Sequence, residues 1–161
     1  MSGNLRIWVD ADSCPALVRN HTVKMATRSN IRTIFVANRE VSVQQSGDFE
    51  MVICNKEKDA ADNHIFENAR IPDIVITNDI LFASRLVSSG MCAINDRGTV
   101  FTPENVRERL STRDFDMQLA QIGLVKHFHE GYDKKKFAKF AETFDRILHQ
   151  QIRKSREAQK G

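Results

Sequence analysis

The sequence predicts an α/β protein, a single three-layer domain with a mostly parallel central sheet of about five strands, plus C-terminal helices. Short apolar segments of strand length alternate with segments of helix length between residues 5 and 95, which is typical of βαβ units. The chain has 161 residues, 41% of them hydrophobic and 28% charged, ordinary values for one soluble globular domain.

The predicted strands are bounded by polar or turn-forming residues. The first, at 5–9, is a bulky apolar run that suits a central strand covered on both faces. The other four are predicted at 32–37, 50–54, 73–77 and 91–95.

Helix start and stop signals separate these strands and follow them. Ser13 or Cys14 is the predicted N-cap of a helix at 15–29, and Asn78 that of a helix ending before Gly90. Thr102 caps a long helix that ends at Gly123 and is interrupted near 111–112. The other predicted helices span 59–68 and 134–153. We expect one domain over 1–154 and a polar, frayed tail over 155–161.

Acidic residues follow four of the predicted strands. The pair Asp10 and Asp12 comes directly after the buried first strand, and Asp79 and Asp96 come after the fourth and fifth. Asp59 and Asp62 begin the helix after the third strand, and their spacing places them on one helix face. Because the carboxyl ends of parallel strands share one edge of a sheet, these acids are expected to converge there.

Hard oxygen ligands of this kind predict Mg²⁺ or Mn²⁺, which bind carboxylates and substrate phosphates. We expect Asp10, Asp12 and Asp79 to be the catalytic carboxylates, with Asp59 and Asp62 as further metal ligands. Asp96 is assigned to the same site as an outer acid. Taken singly, each acid also has a structural interpretation, as a helix cap, a partner of a helix dipole or a turn residue.

The distribution of charge is compatible with a nucleic-acid substrate. The net charge is −1 up to residue 102 and +4 from residue 103 onward, so the acidic site and the basic surface lie in different parts of the chain. An enzyme that holds a cation and binds a polyanion can use such a division, and a solvated helical tail would have the same composition. Asn78, Arg39 and Arg97 follow strand ends and are candidates to orient substrate, although single arginines are as often surface ion pairs.

Five sequence motifs resemble the YaiI/YqxD family of uncharacterised bacterial proteins and span nearly the whole chain. They are WVDADSCP at 8–15, FVANR at 35–39, DAAD at 59–62, ITNDI at 76–80, and RERL with RDF at 107–110 and 113–115. That family is similar to PIN-like domains, metal-dependent nucleases with acids gathered at the edge of a parallel sheet.

The PIN-like resemblance implies roles for particular acids. Asp10 would be the acid of the first strand, Asp79 that of the Thr-x-Asp motif, and Asp59 or Asp62 the helix acid. The second acid of the usual PIN pattern is a helical Glu, which this chain lacks, and Asp12 would stand in its place.

Two other functions compete for the same residues. The Asp10-x-Asp12 spacing also resembles the first motif of haloacid-dehalogenase-type phosphatases, in which the first Asp is a phosphorylated nucleophile. A non-catalytic module that binds nucleic acid or protein, with a degenerate acidic site, is the remaining alternative. Cys14 lacks an arginine at the spacing of a phosphatase loop, and His127 and His129 lack spaced companions for zinc.

The composition also bears on cellular location and on membrane contact. The N-terminal residues contain no apolar signal region, and no apolar run reaches the length of a membrane span. Three scattered cysteines predict reduced thiols rather than a disulfide framework. We therefore expect a cytoplasmic protein that makes no membrane contact.

Overall fold

The computed structural model describes residues 5–57, 59–124 and 131–160, and these ranges contain one five-stranded sheet. Its strands are β1 Arg6–Asp10, β2 Arg32–Ala37, β3 Phe49–Ile53, β4 Ile74–Ile76 and β5 Cys92–Ile94. Their order is β3-β2-β1-β4-β5, and every pair of neighbouring strands is parallel. The predicted α/β class and parallel sheet are confirmed.

The helices cover both faces of this sheet. They are α1 Ala16–Arg28, α2 Ala60–Asn68, α3 Ile80–Ser88, α4 Pro103–Gln121 and α5 Lys134–Lys160. Buried residues of α1 and α5 form one apolar core with the sheet, and buried residues of α2, α3 and α4 form a second core with its other face. The domain therefore has three layers. No helix in the described ranges is long and apolar enough to cross a membrane.

Strand β1 lies at the centre because its side chains are buried on both sides. Ile7 and Val9 belong to the core under α1 and α5, whereas Trp8 belongs to the core under α2 and α3. The chain runs outward from β1 through β2 to β3 and then returns to β4 on the other side of β1. The direction of winding thus reverses between β1 and β4, and ligands of open α/β sheets bind in the crevice at that point.

Four features of the helices differ from the sequence prediction: the start of α1, the N-cap of α3, the continuity of α4 and the end of α5. A 3₁₀ turn at Ala11–Ser13 delays α1, whose N-cap is Pro15 rather than Ser13 or Cys14. The N-cap of α3 is Asp79 rather than Asn78, because the Asp79 carboxylate accepts from two backbone N–H groups of the first turn. Helix α4 is continuous where an interruption was predicted.

The fourth difference concerns the C-terminal end of the chain. Helix α5 continues to Lys160 through the segment predicted to be frayed. Gln151 and Ser155 lie one turn apart on α5 and are both buried, and Gln151 Nε2 donates to the Pro72 carbonyl at 2.8 Å. These polar side chains face the domain. The helix therefore stays packed beyond residue 152, where the apolar pattern in the sequence ends.

Candidate acidic site

The candidate site begins where β1 and β4 end side by side at the switch point. Thr77 Oγ1 donates to Asp10 Oδ2 at 2.8 Å and accepts from the Asp79 backbone N–H at 3.1 Å. One hydroxyl therefore connects the acids that follow the two strands. Thr77 is not among the residues predicted for the site. The feature that could have indicated it is a hydroxyl residue directly after a fully buried strand.

Asp62 on α2 faces the same place. Burial, followed by the nearby carboxylates of Asp10, Asp79 and Asp59, raises the pKa of Asp62 to about 7. The side chain of Asp79 contributes in the same direction, since neighbouring carboxylates disfavour each other's ionised form.

Asp10 is the second acid with a perturbed pKa. Burial is the largest cause and raises the pKa of Asp10 to about 6, while the Thr77 hydrogen bond opposes the shift. The carboxylates of Asp12 and Asp79 raise the pKa further. Four of the six predicted acids thus act electrostatically on Asp10 or Asp62. Together with Asp62 they form what we call the acid cluster: Asp10, Asp12, Asp59, Asp62 and Asp79.

Two members of the acid cluster occupy helix N-caps, with different contacts. Asp79 Oδ1 accepts from the backbone N–H groups of Leu81 and Phe82 at 2.9 and 3.2 Å, so it stabilises α3 as well as facing Asp62. Asp59 caps α2 in the left-handed backbone region, with φ 63° and ψ 14°, and makes no side-chain capping bond. A non-glycine residue in this region carries strain of order 1 kcal/mol, which is frequent at functional sites.

Asp12 is exposed on the rim of the cluster. Its two carboxylate oxygens accept from the Asn38 backbone N–H at 3.0 and 3.1 Å, which ties the turn after β1 to the end of β2. The Asn38 side-chain oxygen is buried beside this contact and has no partner among the described residues.

Asp96 lies next to the acid cluster but has different partners. Its carboxylate accepts from Asn78 Nδ2 at 2.8 Å, and its backbone N–H donates to Asn78 Oδ1 at 3.2 Å. Tyr132 donates its hydroxyl to the Asp96 carbonyl at 2.7 Å. The Asp96 charge acts on Cys14 and Tyr132 rather than on Asp10 or Asp62. The buried Asp96 and the exposed Asn78 therefore form a brace between the ends of β4 and β5.

The remaining predicted residues lie around this region or outside the description. Arg39 and Arg97 are both exposed after strand ends, as expected of groups that meet a ligand from solvent. Burial raises the pKa of Cys14 to about 12, so its thiol stays protonated near neutral pH and is a poor nucleophile. His127 and His129 lie outside the described residues.

The acid cluster fits a metal by its donor chemistry more than by its present geometry. Within the described ranges, no three His, Cys, Asp or Glu side chains are close enough together to hold one ion. Mg²⁺ keeps several waters and is often bound through only one or two carboxylates and substrate phosphates. Asp62 and Asp79, with Asp10 near them, offer such a ligand set.

Comparison with known protein families matches residues 8–150 to a family described as "Uncharacterized BCR, YaiI/YqxD family". This chain belongs to the YaiI/YqxD family. The resemblance seen in the sequence motifs is therefore confirmed over most of the chain, including every member of the acid cluster.

Curated relatives of this YaiI/YqxD chain carry the name "UPF0178 protein". The Treponema denticola protein is 41% identical over 144 residues, covering 89% of this chain and 92% of the relative. The Treponema pallidum protein is 41% identical over 159 residues, covering 98% and 90%, and a Marinomonas protein is 37% identical over 149 residues, covering 92% and 100%. No solved structure matches the chain.

Proposed function

We propose that this YaiI/YqxD protein is a Mg²⁺- or Mn²⁺-dependent phosphodiesterase or nuclease of PIN-like type that acts on RNA or DNA. The observation that carries the proposal is the coupling of five carboxylates at the switch point between β1 and β4, where burial and mutual repulsion raise the pKa values of Asp10 and Asp62. Acids with perturbed pKa values that influence one another are frequent at functional sites.

The acid cluster suits a divalent ion because the positive charge would relieve its internal repulsion. Asp62 and Asp79 would hold the ion directly, and Asp10, Asp12 and Asp59 through water. Such an ion supplies activation of water and stabilisation of charge on a phosphoryl group.

The chain's own residues would divide the remaining work. The raised pKa of Asp62 reflects burial and repulsion within the cluster, and a bound cation would oppose both effects by favouring the ionised carboxylate. Thr77 fixes the Asp10 carboxylate, and the Asn78–Asp96 brace fixes the loop that carries Asp79. Arg39 and Arg97 would contact phosphate groups from the exposed rim.

The non-catalytic binding module remains the second candidate function, and one observation favours it. The described side chains do not assemble three metal-ligating groups at one point, as expected of a degenerate site. A haloacid-dehalogenase-type phosphatase has less support, because both oxygens of Asp12 already accept from a backbone N–H group and Asp12 would have to exchange protons. Location in the cytoplasm is part of the proposal and is supported by three free cysteines.

A cleavage screen tests the proposed activity. Labelled single- and double-stranded RNA and DNA are incubated with the protein in Mg²⁺, Mn²⁺ or chelator. We expect cleavage in the presence of either ion, none in chelator, and loss of at least about 10²-fold in Asp10→Asn, the scale on which positioned acid–base groups act. Asp48→Asn is the matched control, since Asp48 is an exposed acid paired with Arg32 away from the cluster. Salt-dependent binding without turnover in either ion would favour the binding module.

A further inference from the structure

We propose that the groove between α4 and the ends of β4 and β5 binds single-stranded nucleic acid. The groove has a volume of about 520 Å³ and is lined by Asn78, Ile80, Asn95, Phe101, Arg109 and Arg113, with further α4 residues. This volume lies within the range of small-ligand sites and can hold a nucleotide. The inference rests on the proposed function. It adds that the nucleic acid is single-stranded and that this groove is the surface that binds it.

The groove is continuous with the acid cluster. Asn78 lines the groove, braces Asp96 by two hydrogen bonds and immediately precedes Asp79 in the chain. Ile80 follows Asp79 and also lines the groove. A ligand lying in the groove is therefore adjacent to the loop that carries a cluster carboxylate.

Helix α4 forms one wall of the groove because only its first part packs against the domain. Val106 is buried and Leu110 packs against the second core, whereas residues 111–118 are all exposed. The side chains that line the groove from α4 recur at spacings of three and four residues and share one face of the helix. They are Arg109, Thr112, Arg113, Asp116, Met117 and Ala120.

The two arginines on this wall have donors available for an anion. Arg109 Nη2 donates to Thr99 Oγ1 at 3.2 Å. Among the described residues, the contact recorded for the Arg113 side chain is a 3.9 Å ion pair with its neighbour Asp114. A guanidinium has five N–H donors, arranged to bind a phosphate through two at once. Of the described residues that line the groove, Asp116 is the one carboxylate, so the two arginines leave this lining with a positive charge.

The apolar lining favours an unpaired base over a duplex. Ile80, Phe101 and Met117 line the groove together with the arginines. A base can pack on apolar side chains and guanidinium planes only when it is free of its partner strand. Phosphates on the arginines and bases on the apolar part together indicate a single strand rather than a duplex or a free phosphate.

Fluorescence anisotropy with a labelled single-stranded oligonucleotide of about ten nucleotides, within the usual site sizes for such proteins, tests the inference. The full chain is used in chelator, so that no strand is cleaved. Each phosphate contact contributes about 0.7 to the slope of log K against log salt for single strands, so Arg109→Ala/Arg113→Ala is expected to lower the slope by about 1.4. Near 0.15 M salt this corresponds to about tenfold weaker binding.

The control Arg28→Ala/Arg107→Ala removes the same charge from exposed arginines outside the groove lining. We expect it to bind the strand within about twofold of the unmodified protein. Arg109→Lys/Arg113→Lys is expected to retain most of the salt slope, because lysine keeps the charge. Thermal melts confirm that each variant is folded.

Several results would overturn the inference: equal losses in the groove and control variants, duplex binding as tight as single-strand binding, or a mononucleotide that binds as tightly as the strand. The measurement is independent of cleavage and of metal. If the groove variants lose binding while no divalent ion affects the protein, the binding groove stands and the proposed nuclease activity fails.

Discussion

The two ends of β1 and β4 hold carboxylates in opposite environments. At the amino end, Asp73 is fully buried and accepts from the backbone N–H groups of Arg6 and Arg70 at 2.9 and 3.0 Å and from Trp8 Nε1 at 3.0 Å. The Arg6 guanidinium lies 3.6 Å from the same carboxylate. These three hydrogen-bond donors and the nearby guanidinium all stabilise a negative charge on Asp73.

At the carboxyl end, Asp10 and Asp62 lack such support. Asp10 has the Thr77 hydroxyl as a donor, and Asp62 faces Asp10, Asp59 and Asp79. Burial and like charge raise the pKa values of both acids, to about 6 and about 7. The comparison shows that this fold can surround a buried carboxylate with hydrogen-bond donors, as it does at Asp73. The unsatisfied cluster is therefore a property of its position, at the edge where ligands of α/β sheets bind.

The largest effect is expected at the satisfied end. Asp73→Asn places a side-chain NH₂ group among N–H donors and removes the charge that they stabilise. We expect a loss of about 3 kcal/mol in the free energy of unfolding, since hydrogen bonds to charged groups contribute about 1.5–3 kcal/mol each. Urea denaturation near pH 7 measures it. A loss below about 1 kcal/mol would remove the distinction between the two ends.

Thr77→Val tests the link between Asp10 and Asp79. The variant keeps the side-chain shape and removes the hydroxyl that donates to Asp10 and accepts from the Asp79 N–H. We expect a loss of about 1–2 kcal/mol in the free energy of unfolding. We also expect the pKa of Asp10 to rise further, because the hydrogen bond that lowers it is gone. NMR titration of the Asp10 carboxyl measures the pKa, and an unchanged or lower value would contradict the assignment.

Asp62→Asn is expected to stabilise the protein at high pH. Folding raises the pKa of Asp62 from 3.8 to about 7. The free energy of unfolding therefore falls as the pH rises between these two values. Asparagine removes that cost, and we expect a gain of about 1 kcal/mol at pH 8, a value reduced for the partial exposure of the side chain. Below about pH 3 Asp62 is protonated in both the folded and the unfolded state, and the gain should vanish. Denaturation at both pH values tests this, and a variant that is less stable at pH 8 would contradict it.

The smallest effect is expected at Arg6, although it forms an ion pair with Asp73. The Arg6 side chain is 37% exposed and its guanidinium lies 3.6 Å from the carboxylate, so the pair contributes little beyond the shorter hydrogen bonds. We expect Arg6→Gln to lose about 0.5 kcal/mol. Urea denaturation, with Asp73→Asn as the comparison, measures it. A loss equal to that of Asp73→Asn would show that the ion pair dominates this end.

Most of the fold could be predicted from the sequence because its signals are local. Apolar runs gave all five strands, and Thr102 with Pro103 correctly marked the start of α4. The N-cap of α3 was placed one residue early, since Asn78 and Asp79 are both good caps and only the side-chain contacts distinguish them. The buried end of α5 was missed because Gln151 and Ser155 are polar and pack through contacts distant in sequence.

The proximity of Asp10 and Asp79 was predictable from the sequence, but the contacts around them were not. The topology brings the ends of β1 and β4 together, as expected for Asp10 and Asp79. The separate partners of Asp96 and the groove on α4 depend on side-chain directions and on how far α4 stands off the domain. Neither property is encoded in residue spacing.

Metal-linked stability tests the central claim, that the acid cluster is held ready for a divalent ion. Thermal melts at pH 7.5 in chelator and in increasing Mn²⁺ compare the unmodified protein, Asp62→Asn and the control Asp48→Asn. At about 100 times the dissociation constant, the ion should stabilise the unmodified protein and Asp48→Asn by about 2.7 kcal/mol. Asp62→Asn should be more stable in chelator and gain less than about half as much. No gain in the unmodified protein with either Mn²⁺ or Mg²⁺, or an equal gain in Asp62→Asn, would contradict the account.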